Sequence, residues 1–167
     1  RIDYDDYRDF SNVSDERNFD GEAIEVGKER GWAFHDLKEI DPLRGGATRA
    51  EVDALRLMAV FLHHWDNKES NQRLVCPGSE TADCRHPLAM IQDAGSNFGP
   101  RKVDLENWRS RPVWFGEAAE CLISMRGMPY DGGTFEDVNI TEDGRRLLGD
   151  RLRQLSERQI ETLFRSA

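Results

Sequence analysis

Apolar residues along the chain fall into short clusters with two different periods. The sharpest is helical: Val52, Leu55, Met58, Ala59 and Leu62 recur at three- and four-residue spacing, the repeat of a helix with a buried face. Thr48 and Glu51 stand just ahead of it as a capping box, hydroxyl to backbone and carboxylate back again. The spacing predicts a helix over roughly 49–63 that delivers the chain into His63-His64-Trp65-Asp66. Two apolar runs follow, Arg73-Leu74-Val75-Cys76 and Leu88-Ala89-Met90-Ile91, each too short for a helix. The turn-rich Pro77-Gly78-Ser79-Glu80 lies between them, so they read as a β-hairpin with a long loop. Towards the carboxy terminus, Thr141 caps a helix carrying Leu147, Leu148, Leu152 and Leu155. Ser156 and Gln159 form a second capping box ahead of Ile160, Leu163 and Phe164.

The remaining segments are less patterned. Trp32, Phe34, Leu37 and Ile40 form an apolar patch closed by Asp41-Pro42, and Gly45-Gly46 breaks the chain again. Residues 96–140 carry Gly, Pro and isolated aromatics, with a short helix expected around 117–125. Within them, Trp108 and Trp114 flank Arg109, Arg111 and Pro112 and read as packing anchors before they read as a substrate grip. Residues 1–30 are acidic and weakly patterned, with Ile24 and Val26 hinting at a strand. They form a lead-in or the remnant of an upstream lobe, and 31–167 form the domain. The fold class expected is α+β, mostly helical, with one small β-hairpin in its middle.

Composition narrows the partners. A chain of 167 residues buries a core without needing disulfides. A net charge of -9 disfavours nonspecific binding to nucleic acid or to anionic membranes, both polyanions. No run approaches the ~18 apolar residues of a membrane helix, and no signal peptide is visible. Of three cysteines, Cys76 and Cys84 flank the hairpin loop and Cys121 stands apart. The sequence leaves the compartment open between the cytoplasm and, if Cys76 and Cys84 form a disulfide, the periplasm or the extracellular space. Zinc on Cys76, Cys84, His86 and a neighbouring histidine fits none of the usual paired-cysteine spacings. The arginines at 145, 146, 151, 153 and 158 read as a solvated helix surface balanced by its own acids.

The residues that carry chemistry are His64-Trp65-Asp66-Asn67-Lys68-Glu69-Ser70-Asn71 and Ile91-Gln92-Asp93-Ala94-Gly95. Phosphoryl transfer needs an Asp near the attacking hydroxyl and separate oxygen ligands for the cations that bridge the phosphates. An Asp and an Asn five apart, a strand pair and a second Asp supply that set. The first stretch resembles the kinase catalytic loop, and Asp93-Ala94-Gly95 resembles its Asp-Phe-Gly metal motif. The resemblance implies that Asp66 orients or deprotonates the acceptor, Lys68 neutralises the transferring phosphoryl, Asn71 and Asp93 bind Mg2+ or Mn2+, and His64 braces the loop. The order of elements fits a kinase carboxy-terminal lobe: buried helix, loop, hairpin, metal Asp, irregular segment, helices. From Gly31-Trp32 onward the chain also looks similar to a bacterial family without an assigned substrate, distantly related to protein and lipid kinases.

The implied activity is transfer of the terminal phosphate of ATP to a hydroxyl on a protein, lipid or small molecule. The departures are equally specific. No Gly-x-Gly-x-x-Gly or Gly-x-x-x-x-Gly-Lys loop occurs, and Lys28, the nearest match to the nucleotide-binding lysine, lies in the wrong context. The chain starts on Arg1 rather than Met, so a nucleotide-covering amino-terminal lobe is expected from upstream residues or another chain. The alternative is a non-catalytic kinase-like module used for binding or scaffolding. Each residue also has a plainer reading: Asp66 and Asn71 as turn and cap groups, His63 and His64 as helix-end groups, Asp93 as the start of a tight turn.

Overall fold

The computed structural model describes residues 31–75, 88–91, 97–98, 104–127 and 133–166. The acidic segment 1–30 with Lys28, the residues Cys76, Cys84 and His86, and the Asp93-Ala94-Gly95 motif lie outside the described residues. The chain is α+β, with helices longer than its strands. Two 3₁₀ turns, Phe34–Glu39 and Pro42–Arg44, precede helix α1 (Arg49–Leu62). Strands β1 (Gln72–Val75) and β2 (Leu88–Ile91) follow, then helix α2 (Leu105–Ser110). Strands β3 (Trp114–Phe115), β4 (Leu122–Ile123) and β5 (Val138–Asn139) lead to helices α3 (Glu142–Leu152) and α4 (Glu157–Ser166).

Helix α1 forms where its capping box and periodicity require. The Thr48 hydroxyl accepts from the Glu51 N–H at 3.3 Å, and the Glu51 carboxylate accepts from the Thr48 N–H at 2.7 Å. Those bonds to Thr48 hold the Glu51 carboxyl below its usual range. The helix is buried on two flanks, which explains its dense apolar pattern. Val52 and Ala59, two turns apart, pack with Trp32, Phe34 and Leu37, while Leu57 and Val60 pack with Ile123 and Ile140. Each large side chain so buried stabilises the fold by roughly 1.5–3 kcal/mol.

The third flank of α1 is polar. Asp53, fully buried, accepts from the Thr141 N–H at 2.8 Å and the Thr141 hydroxyl at 2.9 Å, and from Arg49 Nε at 3.0 Å. Thr141 in turn accepts from the Gly144 N–H, so one residue caps α3 and ties it to α1. The helices come so close there that a Cβ on Gly144 would sit 2.5 Å from the Asp53 Cβ. On the outer face of α3, hydrogen bonds from Arg145 and then Arg146 pull the exposed Glu142 carboxyl down to about 2. Arg153 pairs with Asp150 in the same way, so this face is the solvated surface its charge pattern implies.

The hairpin also forms, β1 pairing antiparallel with β2 and Gln72 standing opposite Ile91. The helix expected around 117–125 does not. That stretch is a 3₁₀ turn, Ala118–Glu120, followed by β4, the centre of a three-stranded antiparallel sheet in the order β3-β4-β5. Two left-handed residues, Gly116 at φ 73° and Cys121 at φ 47°, bend the backbone away from a helical path. Ile123, fully buried, then anchors the strand to the core. Trp108 is a packing anchor: it meets Phe61 and Phe98 edge-on and donates its indole N–H to the Phe61 carbonyl at 2.5 Å. Trp114, by contrast, is exposed and is not the buried anchor its sequence context suggests. No described helix is long and apolar enough to cross a membrane.

Candidate functional site

The loop after α1 begins at a left-handed residue. His63 has φ 54°, its N–H bonds to the Val60 carbonyl and the His64 N–H bonds to the Ala59 carbonyl at 2.9 Å. This is a Schellman ending with histidine where glycine is usual. It turns His64 inward, where the ring is 1% exposed. His64 Nδ1 lies 3.1 Å from the Asn97 side-chain oxygen, and its Nε2 lies 2.9 Å from the Gln72 amide nitrogen. An oxygen on one side and an NH2 on the other select the neutral tautomer with its proton on Nδ1, donating to Asn97 and accepting from Gln72. His64 thereby links the loop to the side chains of Asn97 and Gln72.

Asn67 fixes the middle of the loop. Its side-chain NH2 donates to the His64 carbonyl at 3.0 Å, and its side-chain oxygen accepts from the N–H groups of Thr134 at 2.6 Å and Phe135 at 3.0 Å. The Thr134 hydroxyl donates to the Asn67 carbonyl at 2.7 Å and accepts from the Phe34 N–H at 2.9 Å. The loop's underside is thus stitched to two distant segments, 33–34 and 133–135. Gly133 is required there, since a Cβ would approach the Asn67 side-chain oxygen to 2.9 Å.

The upper face carries the ionic residues. Lys68 Nζ sits 3.3 Å from Asp66 Oδ1, an oxygen that makes no hydrogen bond among the described residues. The Asp66 side chain is 20% exposed, so the carboxylate is held by a cation on one side and open on the other. Asn71 donates its side-chain NH2 to the Asp66 backbone carbonyl at 2.8 Å. That bond orients the amide, leaving its oxygen as the acceptor available to a hard cation. Among the described residues no three His, Cys, Asp or Glu side chains gather as a metal cluster. The expected pair, Asn71 and Asp93, comprises an amide and a residue outside the described set.

His64, Asp66, Lys68 and Asn71 therefore lie on one loop, where Lys68 and Asn71 contact Asp66 while the His64 ring bonds to Asn97 and Gln72. Asn67, Gln72, Asn97 and Thr134 were not singled out from the sequence. Asn67 stood inside the motif, yet nothing in its spacing distinguishes a buried anchor from a turn residue. Thr134 carries one local cue, the Gly132-Gly133 pair before it. His63, 1% exposed, keeps its Nδ1 without a hydrogen bond among the described residues, and burial, with Arg111 nearby, lowers its pKa. No protein-family profile, curated protein or solved structure matches this chain.

Proposed function

We propose that this domain is the catalytic-loop half of a kinase-like phosphotransferase, moving the terminal phosphate of ATP to a hydroxyl acceptor. The observation that carries the reading is the loop itself: a half-open Asp66 carboxylate beside Lys68, with Asn71 bonded back to the Asp66 carbonyl and its oxygen making no hydrogen bond among the described residues. In this reading the open carboxylate oxygen of Asp66 accepts the hydroxyl proton as the acceptor oxygen attacks the terminal phosphorus of ATP, whose bond to the bridging oxygen breaks to release ADP. The Lys68 ammonium lies against the charge that gathers on the transferring group. The donor chemistry fits magnesium or manganese, which takes a few protein oxygens and keeps several waters; Asn71 and Asp93 would hold it. When bound, the cation neutralises phosphate charge. The buried back of the loop, with neutral His64 and Asn67, preserves the spacing of these groups without moving at the moment of reaction.

The test is the melting temperature of the 167-residue chain with manganese, with ATP and with both, beside Asp93→Asn and Asp66→Asn. The reading expects a rise that requires metal and nucleotide together and is absent in Asp93→Asn. Asp66→Asn should keep the rise while losing phosphoryl transfer to water or protein by about 10²–10⁴-fold. A rise with no transfer in the parent chain would favour the non-catalytic module. No rise in any sample, with an amino-terminal lobe supplied as well, would sink the proposal.

A further inference from the structure

A cavity lined in part by residues 135–138 lies outside the catalytic loop. Phe34 and Phe135 wall this cavity of about 160 Å³, which Lys38, Arg49 and Arg56 also line. That volume suits a group of a few heavy atoms and is well below the ~300–1,000 Å³ of pockets that take drug-sized ligands.

Arg56 is the informative residue. It is 7% exposed, yet its guanidinium makes no hydrogen bond among the described residues, and its nearest carboxylate oxygen, Asp53 Oδ1, is 3.8 Å away. Asp53 is already committed to Arg49 at 2.8 Å and to Thr141. None of its nitrogens is fully enclosed, so this five-donor cation meets solvent where the protein supplies it no hydrogen-bond acceptor among the described residues. Burial, and then the charge of Arg49, hold its pKa below the usual guanidinium value, against smaller opposing effects of Asp53 and Glu136. Lys38 forms no ion pair among the described residues. The acids that line the cavity, Glu136 and Asp137, do not cancel this: Glu136 is exposed, and Asp137 is paired with Arg126. His35, which also lines it, faces Asp36 at 3.6 Å.

We infer that this cavity binds a small oxyanion of phosphate type, gripped by the Arg56 guanidinium with Arg49 and Lys38 completing the charge. A tetrahedral oxyanion offers several acceptor oxygens to the Arg56 fork at once, which chloride does not. The inference is independent of the phosphotransferase reading, because the cavity contains none of His64, Asp66, Lys68 or Asn71.

The test compares the melting temperature of the whole chain in sodium phosphate and in sodium chloride of equal ionic strength and pH. At a phosphate concentration about ten times Kd, a rise of roughly 3–5 °C over chloride is expected. Lys38→Gln, at an exposed position, should reduce the rise by half or more, and Arg56→Lys should abolish it. Asp66→Asn should leave it intact, which separates this site from the catalytic loop. O-phosphoserine in place of phosphate identifies the source: an equal rise assigns the site to a phosphate monoester, and no rise assigns it to the free ion. Equal melting temperatures in phosphate and chloride, or a rise unchanged in both Lys38→Gln and Arg56→Lys, would overturn the inference.

Discussion

Asn67 is the residue on which the loop's geometry depends most. It is 2% exposed and serves the backbone of His64, Thr134 and Phe135. Asn67→Ala leaves two N–H groups and a carbonyl without partners where water has little access, and the expected loss is about 3 kcal/mol in urea or guanidinium unfolding. Thr134→Val, which removes the hydroxyl between Phe34 and Asn67, should cost less, about 1–2 kcal/mol. A loss below about 1 kcal/mol for Asn67→Ala would mean that the loop finds other partners. His63 makes a different prediction. Its folded pKa lies below the ordinary 6.5, so the ring stays neutral in the fold where the unfolded chain protonates. Stability should therefore be full above about pH 6.5 and decline as the pH falls from there towards the folded value. His63→Asn keeps a residue that tolerates the left-handed backbone and removes the titration. Its stability should vary less with pH over that window, and an unchanged pH dependence would assign the decline to other groups.

Helix α3 carries two glycines with opposite expectations. Gly144 faces Asp53, and Gly149 has nothing within 4 Å of a Cβ position. Gly149→Ala should stabilise by about 0.5–1 kcal/mol through helix propensity and a less flexible unfolded chain. Gly144→Ala gains the same propensity but drives a methyl into α1, and the net expectation is a loss of about 1–2 kcal/mol. Denaturant midpoints of the two variants check the difference in sign. Elements were legible in the sequence where one local rule sufficed. Thr48 with Glu51, Thr141, and Ser156 with Gln159 marked helix starts to the residue. The runs at 73–76 and 88–91 marked the hairpin to within one residue. The second sheet was not legible, because β3, β4 and β5 are two residues each and no alternation is visible at that length. The positive φ of Cys121 gave no warning either, since cysteine is not a residue that signals a left-handed turn.

Among the described residues, helix α1 joins both cores, helix α3 and the loop. Its apolar flanks hold two cores, its polar flank holds α3 through Asp53, and its carboxy-terminal end sets the loop through His63. The motif residues at 64, 66, 68 and 71 could be read from their spacing because the chemistry resides in consecutive residues. Their support could not, because Asn97, Thr134 and Phe34 reach the loop from far along the chain and leave no local pattern. Asn67 and Thr134 are 67 residues apart in sequence and share three polar contacts. Synthesis runs from the amino end, so the loop leaves the ribosome long before the segment that will clamp it. Closing so long a loop costs chain entropy that only the finished clamp offsets. A polypeptide stalled between those two points would carry the loop residues 64–71 but lack the bonds that Thr134 and Phe135 make to Asn67, the clamp on the loop's underside.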